Sequence, residues 1–217
     1  MLSKLVSIIK DIFFPRFCVS CGQEGNWFCN SCFLINKNLF QKNSLTVQAL
    51  DPACLDGITA LFAYGENDIS KLIKLLKYNF LLEITDVFTK IFNNIYLNNA
   101  WQDFVIIPVP LHLRRERERG FNQAEIIANL FAKKLGLNIN KNLRRSIYTA
   151  QQARLTGQQR QVNLKGAFSW SSNIKNIPEK VLLVDDVFTT GATMQECAKV
   201  LKSNGAKIVW GLALARG

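Results

Sequence analysis

The chain has 217 residues, of which 48% are hydrophobic, and this is enough for one full core with a smaller module attached. Its formal net charge is +11, from 27 Lys and Arg against 16 Asp and Glu, so anionic partners such as phosphorylated metabolites or nucleic acid are favoured. The sequence has no uninterrupted apolar run of about 20 residues, so we expect a soluble protein with no membrane insertion.

The N-terminal segment, residues 1–14, carries apolar side chains such as Ile8 and Ile12 at helical spacing. Lys10 and Asp11 interrupt the apolar run, and no small-residue cleavage site follows, so the segment is unlike a signal peptide. We predict a short helix that docks on its own protein. A membrane-binding or partner-binding helix is the less favoured alternative.

Residues 15–56 contain four clustered cysteines in two Cys-x2-Cys pairs, Cys18 with Cys21 and Cys29 with Cys32, whereas Cys54 and Cys197 stand alone. This spacing is typical of a metal site, and four thiolates select tetrahedral zinc in a reducing cytoplasm. A purely structural zinc is the main interpretation. The alternative is a module that contacts DNA through basic and aromatic side chains. Those side chains are Arg16, Lys37, Lys42, Trp27 and Phe28.

From residue 57 to residue 217 the sequence predicts alternating strands and helices, which is typical of an α/β fold with an open parallel sheet flanked by helices. A polar, glutamine-rich stretch at 149–165 is the longest predicted loop. In chain order the predicted elements are a strand at 58–64, helices at 68–78 and 81–97, a strand at 104–109, a helix at 122–135 that ends before Gly136, a strand at 181–184, a helix at 193–203 and a strand at 207–213.

The segment 181–193 combines a short apolar strand with two carboxylates, Asp185 and Asp186, and a loop rich in hydroxyl groups. Open α/β sheets bind ligands at the carboxyl ends of their strands, so we assign the acids to ribose hydroxyls. The following helix start favours a phosphate. The predicted phosphate-binding residues are Thr189, Thr190, Gly191, Ala192 and Thr193.

This order of acids and phosphate loop matches the shape of a 5-phosphoribosyl group. In the alternative interpretation, the acids are helix caps and the loop is an ordinary turn. We disfavour that alternative because two adjacent acids at a buried strand end repel each other unless a ligand, a metal or hydroxyl groups accompany them.

The same segment resembles the phosphoribosyl diphosphate signature of the phosphoribosyltransferases. Three further motifs resemble the ComF family: PVPLH at 108–112, RGFNQ at 119–123 and NLKGAF at 163–168. The cysteine module also fits that family, so the chain is identified as a member of it. The resemblance implies a type I phosphoribosyltransferase-like open parallel sheet at 57–217, with a zinc module at 15–56.

The resemblance also implies a diphosphate site in the loop after the strand at 104–109. Its candidate residues are the backbone groups of Leu111 and His112, with Arg115 and Arg119, and Lys77 is a further candidate. The alternating charges of this segment allow another interpretation, a solvated helix start with self-neutralising pairs. For Lys77 the alternative is an ordinary surface lysine.

A loop that closes over the substrate is implied for the glutamine-rich stretch, with Arg145, Arg154 and Arg160 in or beside it. In the implied reaction, a nucleophile displaces diphosphate from the anomeric carbon, and Mg²⁺ neutralises the diphosphate. Asp185 and Asp186 are the candidate catalytic residues, because they would stabilise an oxocarbenium-like transition state. The sequence contains no base-recognition motif, so it does not identify an acceptor.

The function implied by the resemblance is a cytoplasmic ComF-like protein that binds phosphoribosyl diphosphate and assists DNA uptake in natural transformation. Single-stranded DNA and other DNA-uptake proteins are the implied partners. One alternative is a phosphoribosyltransferase that acts on a nucleobase in nucleotide salvage. A second alternative is a DNA-binding module whose sugar-phosphate site is vestigial or sensory.

Overall fold

The structure is a computed structural model, and its residues group into two compact units. One unit is formed from 1–42 with 66–96, and the other from 43–65 with 97–217. The boundaries expected after residues 14 and 56 stay predictions. The residues that the structure describes are 15–37, 45–48, 54–65, 67–77, 81–95, 97, 101–148, 164–171 and 177–217.

The first unit contains the cysteine segment and three helices among its described residues, α1 (Asn30–Ile35), α2 (Asp68–Leu76) and α3 (Leu81–Asn94). The side chain of Asn67 caps α2 by accepting a hydrogen bond from the Ser70 N–H at 2.9 Å. The predicted helices at 68–78 and 81–97 are therefore present, with slightly earlier ends. Their buried faces include Ile69, Leu72, Ile73, Leu76, Ile84, Phe88 and Ile91.

The second unit contains the sheet, in the strand order β1-β2-β7-β6-β3. The strands are β1 (Leu45–Gln48), β2 (Gly57–Ala63), β3 (Val105–Pro108), β6 (Lys180–Phe188) and β7 (Ile208–Arg216). Only β1 runs antiparallel to its neighbour in this sheet; the other pairs are parallel. The predicted open parallel sheet is confirmed, although the sequence did not predict β1.

Helices pack on this sheet because the central strand β6 presents apolar side chains to both faces of the sheet. The four residues Val181–Val184 of β6 are all fully buried, as expected for a central parallel strand. Val181 and Leu183 join one core cluster with Cys197 and Leu201, while the alternation of the strand directs Leu182 and Val184 to the other face. The helices of this unit are α4 (Leu113–Arg119), α5 (Gln123–Leu135) and α6 (Ala192–Ser203), of which α5 and α6 pack on the sheet.

A small antiparallel sheet pairs β4 (Leu143–Arg145) with β5 (Phe168–Trp170). The sequence did not predict either strand, because three residues are too few for a period to be recognised. The predicted loop at 149–165 lies almost entirely outside the described residues. None of the helices in the described ranges combines the length and the apolar surface that crossing a bilayer requires.

Candidate functional site

The two predicted sugar-binding acids lie on β6, beyond the point where its neighbour β3 ends. The last rung between the two strands pairs Pro108 with Val184, and the Val109 N–H then donates to the Val184 carbonyl at 2.8 Å. On its other side β6 stays paired with β7, with Asp185 opposite Ala213. The acids therefore lie on a strand that is still paired with β7 but no longer paired with β3.

The strand continues further than the sequence predicted, since the predicted end was residue 184 and the observed end is Phe188. Each acid also accepts a local backbone hydrogen bond. The Asp186 N–H donates to Asp185 Oδ1 at 2.8 Å, and the Val187 N–H donates to Asp186 Oδ1 at 2.7 Å. These bonds hold both carboxylates close to the main chain at the open edge of the sheet.

The loop after β6 turns directly into α6 through Gly191, which has a φ of +75°. A Cβ at this position would lie 2.6 Å from Cζ of Phe188, so both the dihedral angle and the packing require glycine here. Gly191 is the N-cap residue of α6 and has no side chain to cap the helix. The Ala192 N–H donates to Thr190 Oγ1 over a long distance of 3.5 Å, so this hydrogen bond is weak. The N–H groups at the helix start therefore suit an anion.

Arg145 lies in strand β4 of the small sheet rather than in a loop. Its guanidinium carbon lies 5.4 Å from the centre of the Phe168 ring, and the side chain is half-buried. Burial is the main cause that lowers the pKa of Arg145, and the charge of Arg115 lowers it further, while Asp185 acts in the opposite direction. Arg145, Arg115 and Asp185 therefore interact electrostatically. Arg154 and Arg160, the other predicted loop arginines, lie outside the described residues.

The predicted diphosphate loop is followed by α4, in which His112 is the N-cap residue. The Nδ1 atom of His112 accepts a hydrogen bond from the Arg114 N–H at 3.2 Å. Arg115 and Arg119 lie on α4, which ends at Gly120 with a φ of +80°. The structure thus places Arg115 and Arg119 on one helix directly after the loop residues Leu111 and His112.

Part of the alternating charge in this segment is neutralised within α4, as the alternative interpretation expected. Arg114 Nε lies 3.1 Å from Glu118 Oε1, but both side chains are exposed, so the pair contributes little to stability. Lys77 is the C-cap residue of α2, in the first unit. Its predicted contact with diphosphate stays a prediction.

Asn122 fixes the predicted diphosphate loop to the start of α5. Its Nδ2 donates to the Val109 carbonyl at 3.1 Å, and its Oδ1 accepts from the Ala124 N–H at 3.0 Å. The side chain is buried, so both bonds are shielded from water. Asn122 belongs to the RGFNQ motif, yet its dual role depends on Val109, thirteen positions earlier in the chain.

A cavity of about 520 Å³ lies beside this loop, within the second unit. Its walls include Pro110, Leu111 and Asn122 from the loop and the start of α5, and Arg144 and Arg145 from β4. A cavity of this size falls in the range of small-molecule sites. The arrangement can therefore accommodate a compact organic group next to the predicted diphosphate position.

The four clustered cysteines form a site that could hold a zinc ion. Their Sγ atoms all lie within 4.8 Å of one another, and those of Cys21 and Cys29 are 3.7 Å apart. In a tetrahedral zinc site with Zn–S bonds of about 2.3 Å, neighbouring sulfurs are about 3.8 Å apart. The cluster therefore has the dimensions that a four-thiolate zinc site requires.

The surroundings of the cluster give two of its thiols, those of Cys18 and Cys32, different pKa values. Burial raises the pKa of Cys18, but the backbone N–H groups of Cys29, Cys21 and Ser20 outweigh it and lower that pKa to about 6. For Cys32 the Ser20 hydroxyl lowers the pKa, whereas burial and the other thiols raise it to about 12. A metal ion binds thiolates, so loading the site releases the protons that remain.

The sequence pattern of the phosphoribosyl transferase domain matches residues 79–215, which is more than half of the chain. This chain belongs to the phosphoribosyl transferase domain family. The match includes the parallel strands β3 and β6, the Gly191 turn and α6.

Three curated relatives support the assignment to the ComF family that the motifs predicted. Competence protein F of Haemophilus influenzae is 41% identical over 114 residues, which are 51% of this chain and 50% of that protein. The DNA utilization protein YhgH of Salmonella typhimurium is 38% identical over 51% of this chain and 48% of its own length. Competence protein ComFC of Streptococcus pneumoniae is 28% identical over 54% and 50%, respectively. The chain thus covers about half the length of these relatives.

Tyr148 is the residue in this phosphoribosyl transferase domain that the sequence reasoning missed most clearly. Its ring makes an edge contact with His112, with 5.1 Å between the ring centres. The guanidinium carbons of Arg114 and Arg115 lie 4.9 and 5.8 Å from the centre of the same ring. No local pattern marks Tyr148, because its partners are more than thirty positions away in the sequence.

The two isolated cysteines, Cys54 and Cys197, are both buried. Burial is the main cause that raises the pKa of Cys197 well above its usual value, and the nearby charge of Asp185 acts in the same direction. The Cys197 thiol therefore stays protonated near neutral pH and packs as an apolar core group.

Proposed function

We propose that this chain binds a 5-phosphoribosyl diphosphate at the β6–α6 loop and assists DNA uptake as a ComF-like protein. The observation that carries the first half is the ordered sequence of chemical groups along 185–193. Two carboxylates stand at the open edge of the sheet, and a glycine turn then leads directly into an uncapped helix start. A ribose phosphate presents its hydroxyls and its phosphate to such groups in the same order.

In this proposal Asp185 and Asp186 bind the ribose hydroxyls, and the loop 189–193 binds the 5′-phosphate. The diphosphate then lies toward the loop that follows β3, where Leu111, His112, Arg115 and Arg119 supply backbone donors and positive charge. Lys77 is retained as a further candidate. The positive charge of Arg145 offsets the negative charge of Asp185 and adds to the positive charge of Arg115 on the diphosphate side of the site.

Two metal ions belong to the proposal. Mg²⁺ would accompany the diphosphate, neutralise its charge and contact the ribose hydroxyls held by the two acids. Zinc is the proposed ion of the cysteine cluster, since four thiolates at this spacing suit its tetrahedral preference. We assign the zinc a structural role, and its reduced thiolates fit a cytoplasmic protein.

The role in DNA uptake is supported by the names of the relatives, which refer to competence and to DNA utilization. It is also supported by the net charge of +11, which favours a polyanionic partner. The proposed partners are single-stranded DNA and other proteins of DNA uptake.

The sugar-phosphate half can be tested by isothermal titration of phosphoribosyl diphosphate with Mg²⁺. We expect the wild type to bind and the double variant Asp185→Asn, Asp186→Asn to lose most of its affinity. Asparagine keeps an Oδ1 acceptor for the local backbone N–H groups, so the strand should remain intact. Equal affinity of the two proteins would rule out the assigned role of the acids.

The second candidate function is transfer of the phosphoribosyl group to a nucleobase, as in nucleotide salvage. The cavity of about 520 Å³ beside the diphosphate loop favours it, because an acceptor could be accommodated there. Release of diphosphate during incubation with a panel of bases would support this activity. The absence of release across the panel would favour a binding role instead.

A further inference from the structure

An exposed patch of aromatic, apolar and basic side chains lies on the second unit around Tyr148. Tyr148 is 43% exposed, and its neighbour in sequence Ile147 is 48% exposed. Leu113, at the start of α4, is 58% exposed. Together with Arg114 and Arg115 these residues form what we call the Tyr148 patch.

The backbone on both sides of the patch is held by hydrogen bonds. On one side the His112 side chain caps α4, from which Arg114 and Arg115 project toward the Tyr148 ring. On the other side the Ser146 N–H donates to the Ala167 carbonyl at 2.9 Å and extends the pairing of β4 with β5. The aromatic ring therefore emerges from an ordered edge, which limits the entropy that binding would cost.

The patch combines the two features by which proteins bind single-stranded nucleic acid. An exposed aromatic ring stacks with bases, and adjacent guanidinium groups attract phosphates. The ion pair of Arg114 with Glu118 is exposed on both sides, so a phosphate can replace the carboxylate at little cost. A double helix keeps its base faces covered, and stacking on Tyr148 therefore selects single strands over duplexes.

We infer that the Tyr148 patch is a binding surface for single-stranded DNA, on which one base stacks against Tyr148 while Arg114 binds a flanking phosphate and Arg115 adds positive charge beside it. This inference rests on the proposed role in DNA uptake and adds the surface that performs it. It places the contact on the second unit, whereas the basic and aromatic residues of the cysteine module were the alternative suggested by the sequence.

The test is fluorescence anisotropy of a labelled 20-nucleotide oligothymidylate with the zinc-loaded 217-residue protein. Tyr148→Ala should weaken binding by about 5- to 150-fold, the effect of losing one base–aromatic stack. Tyr148→Trp should retain the affinity. Phe17→Ala is the matched control, because Phe17 is a similarly exposed aromatic residue (47%) on the cysteine module. We expect this variant to bind the oligonucleotide with the affinity of the wild type.

A second arm separates stacking from charge. Abasic oligonucleotides keep their phosphates but remove the bases, so they should weaken binding to the wild type and make little difference to Tyr148→Ala. Arg114→Gln should reduce the slope of log K against log salt by about one unit, because one phosphate contact is lost. Thermal unfolding of each variant checks that the fold is retained.

Each contrary outcome has a defined meaning. Unchanged affinity of Tyr148→Ala together with a loss in Phe17→Ala would overturn the patch and favour the cysteine module, leaving the role in DNA uptake intact. If Tyr148→Ala loses affinity for phosphoribosyl diphosphate alone, the ring belongs to the sugar-phosphate site and the inference fails. A wild-type protein that binds no single-stranded DNA would overturn both the patch and the proposed contact with DNA.

Discussion

Replacing Gly191 by alanine tests whether the sugar-phosphate loop depends on a conformation that glycine alone adopts freely. At a φ of +75° an L-residue costs about 1–2 kcal/mol. The added Cβ would also lie 2.6 and 2.8 Å from two ring carbons of Phe188, and relieving that overlap costs about another 1–3 kcal/mol. We therefore expect Gly191→Ala to lower the free energy of unfolding by about 2–5 kcal/mol.

Gly136→Ala is the matched control, because Gly136 has a similar φ of +69° and nothing lies within 4 Å of its added Cβ. It should lose only the dihedral contribution, about 1–2 kcal/mol. Shortening the ring in the double variant Phe188→Leu, Gly191→Ala should recover part of the steric loss, as a double-mutant cycle would record. Denaturant unfolding followed by circular dichroism measures the wild type, the three single variants Gly136→Ala, Phe188→Leu and Gly191→Ala, and the double variant.

The affinity for phosphoribosyl diphosphate measures the effect of Gly191→Ala on function. If the glycine turn positions N–H groups on the 5′-phosphate, Gly191→Ala should weaken binding of phosphoribosyl diphosphate at least about tenfold, the effect of one lost hydrogen bond to a charged group. Gly136→Ala should bind as the wild type does. Equal destabilisation by the two substitutions, with unchanged affinity in both, would refute the reasoning.

Three other substitutions or treatments have defined outcomes. Gly57→Ala should destabilise the sheet by about 1–3 kcal/mol in denaturant unfolding, because its Cβ would enter the ring of Trp210; wild-type stability would contradict this. Asn122→Ser keeps an N-cap acceptor but loses the bond to the Val109 carbonyl. It should lower stability by about 1–3 kcal/mol and weaken binding of phosphoribosyl diphosphate in calorimetry, and unchanged binding would mean that the loop does not need this bond. A chelator should lower the thermal transition of the wild type but not that of Cys18→Ser, and an equal response of both would argue against a structural metal.

Features that depend on neighbouring residues were predictable from the sequence. The end of α5 at Gly136 is one example, since a left-handed glycine after an amphipathic run is a local signal. The four-cysteine cluster is another, because two short pairs already supply all the ligand atoms. The central run Val181–Val184 was recognisable as a buried strand from its composition alone.

Features that depend on distant partners were not predictable. The strand β6 continues through the acids because β7 supplies Ala213 and Ala215 as pairing partners, and nothing in the sequence around Asp185 indicates that ladder. The pairing of β4 with β5 joins residues more than twenty positions apart. Tyr148 became a candidate only when the fold placed it beside α4.

The repulsion between Asp185 and Asp186 is partly offset by groups of the protein itself. The sequence reasoning held that Asp185 and Asp186 would repel each other unless a ligand, a metal or hydroxyl groups were present. In the structure, each carboxylate accepts a backbone N–H, and Arg145 interacts with Asp185, so the protein itself offsets part of that repulsion. The adjacency of the acids is therefore not by itself evidence for a ligand. The stronger evidence is the turn at Gly191, where packing against Phe188 and a left-handed φ both require glycine directly before an uncapped helix start.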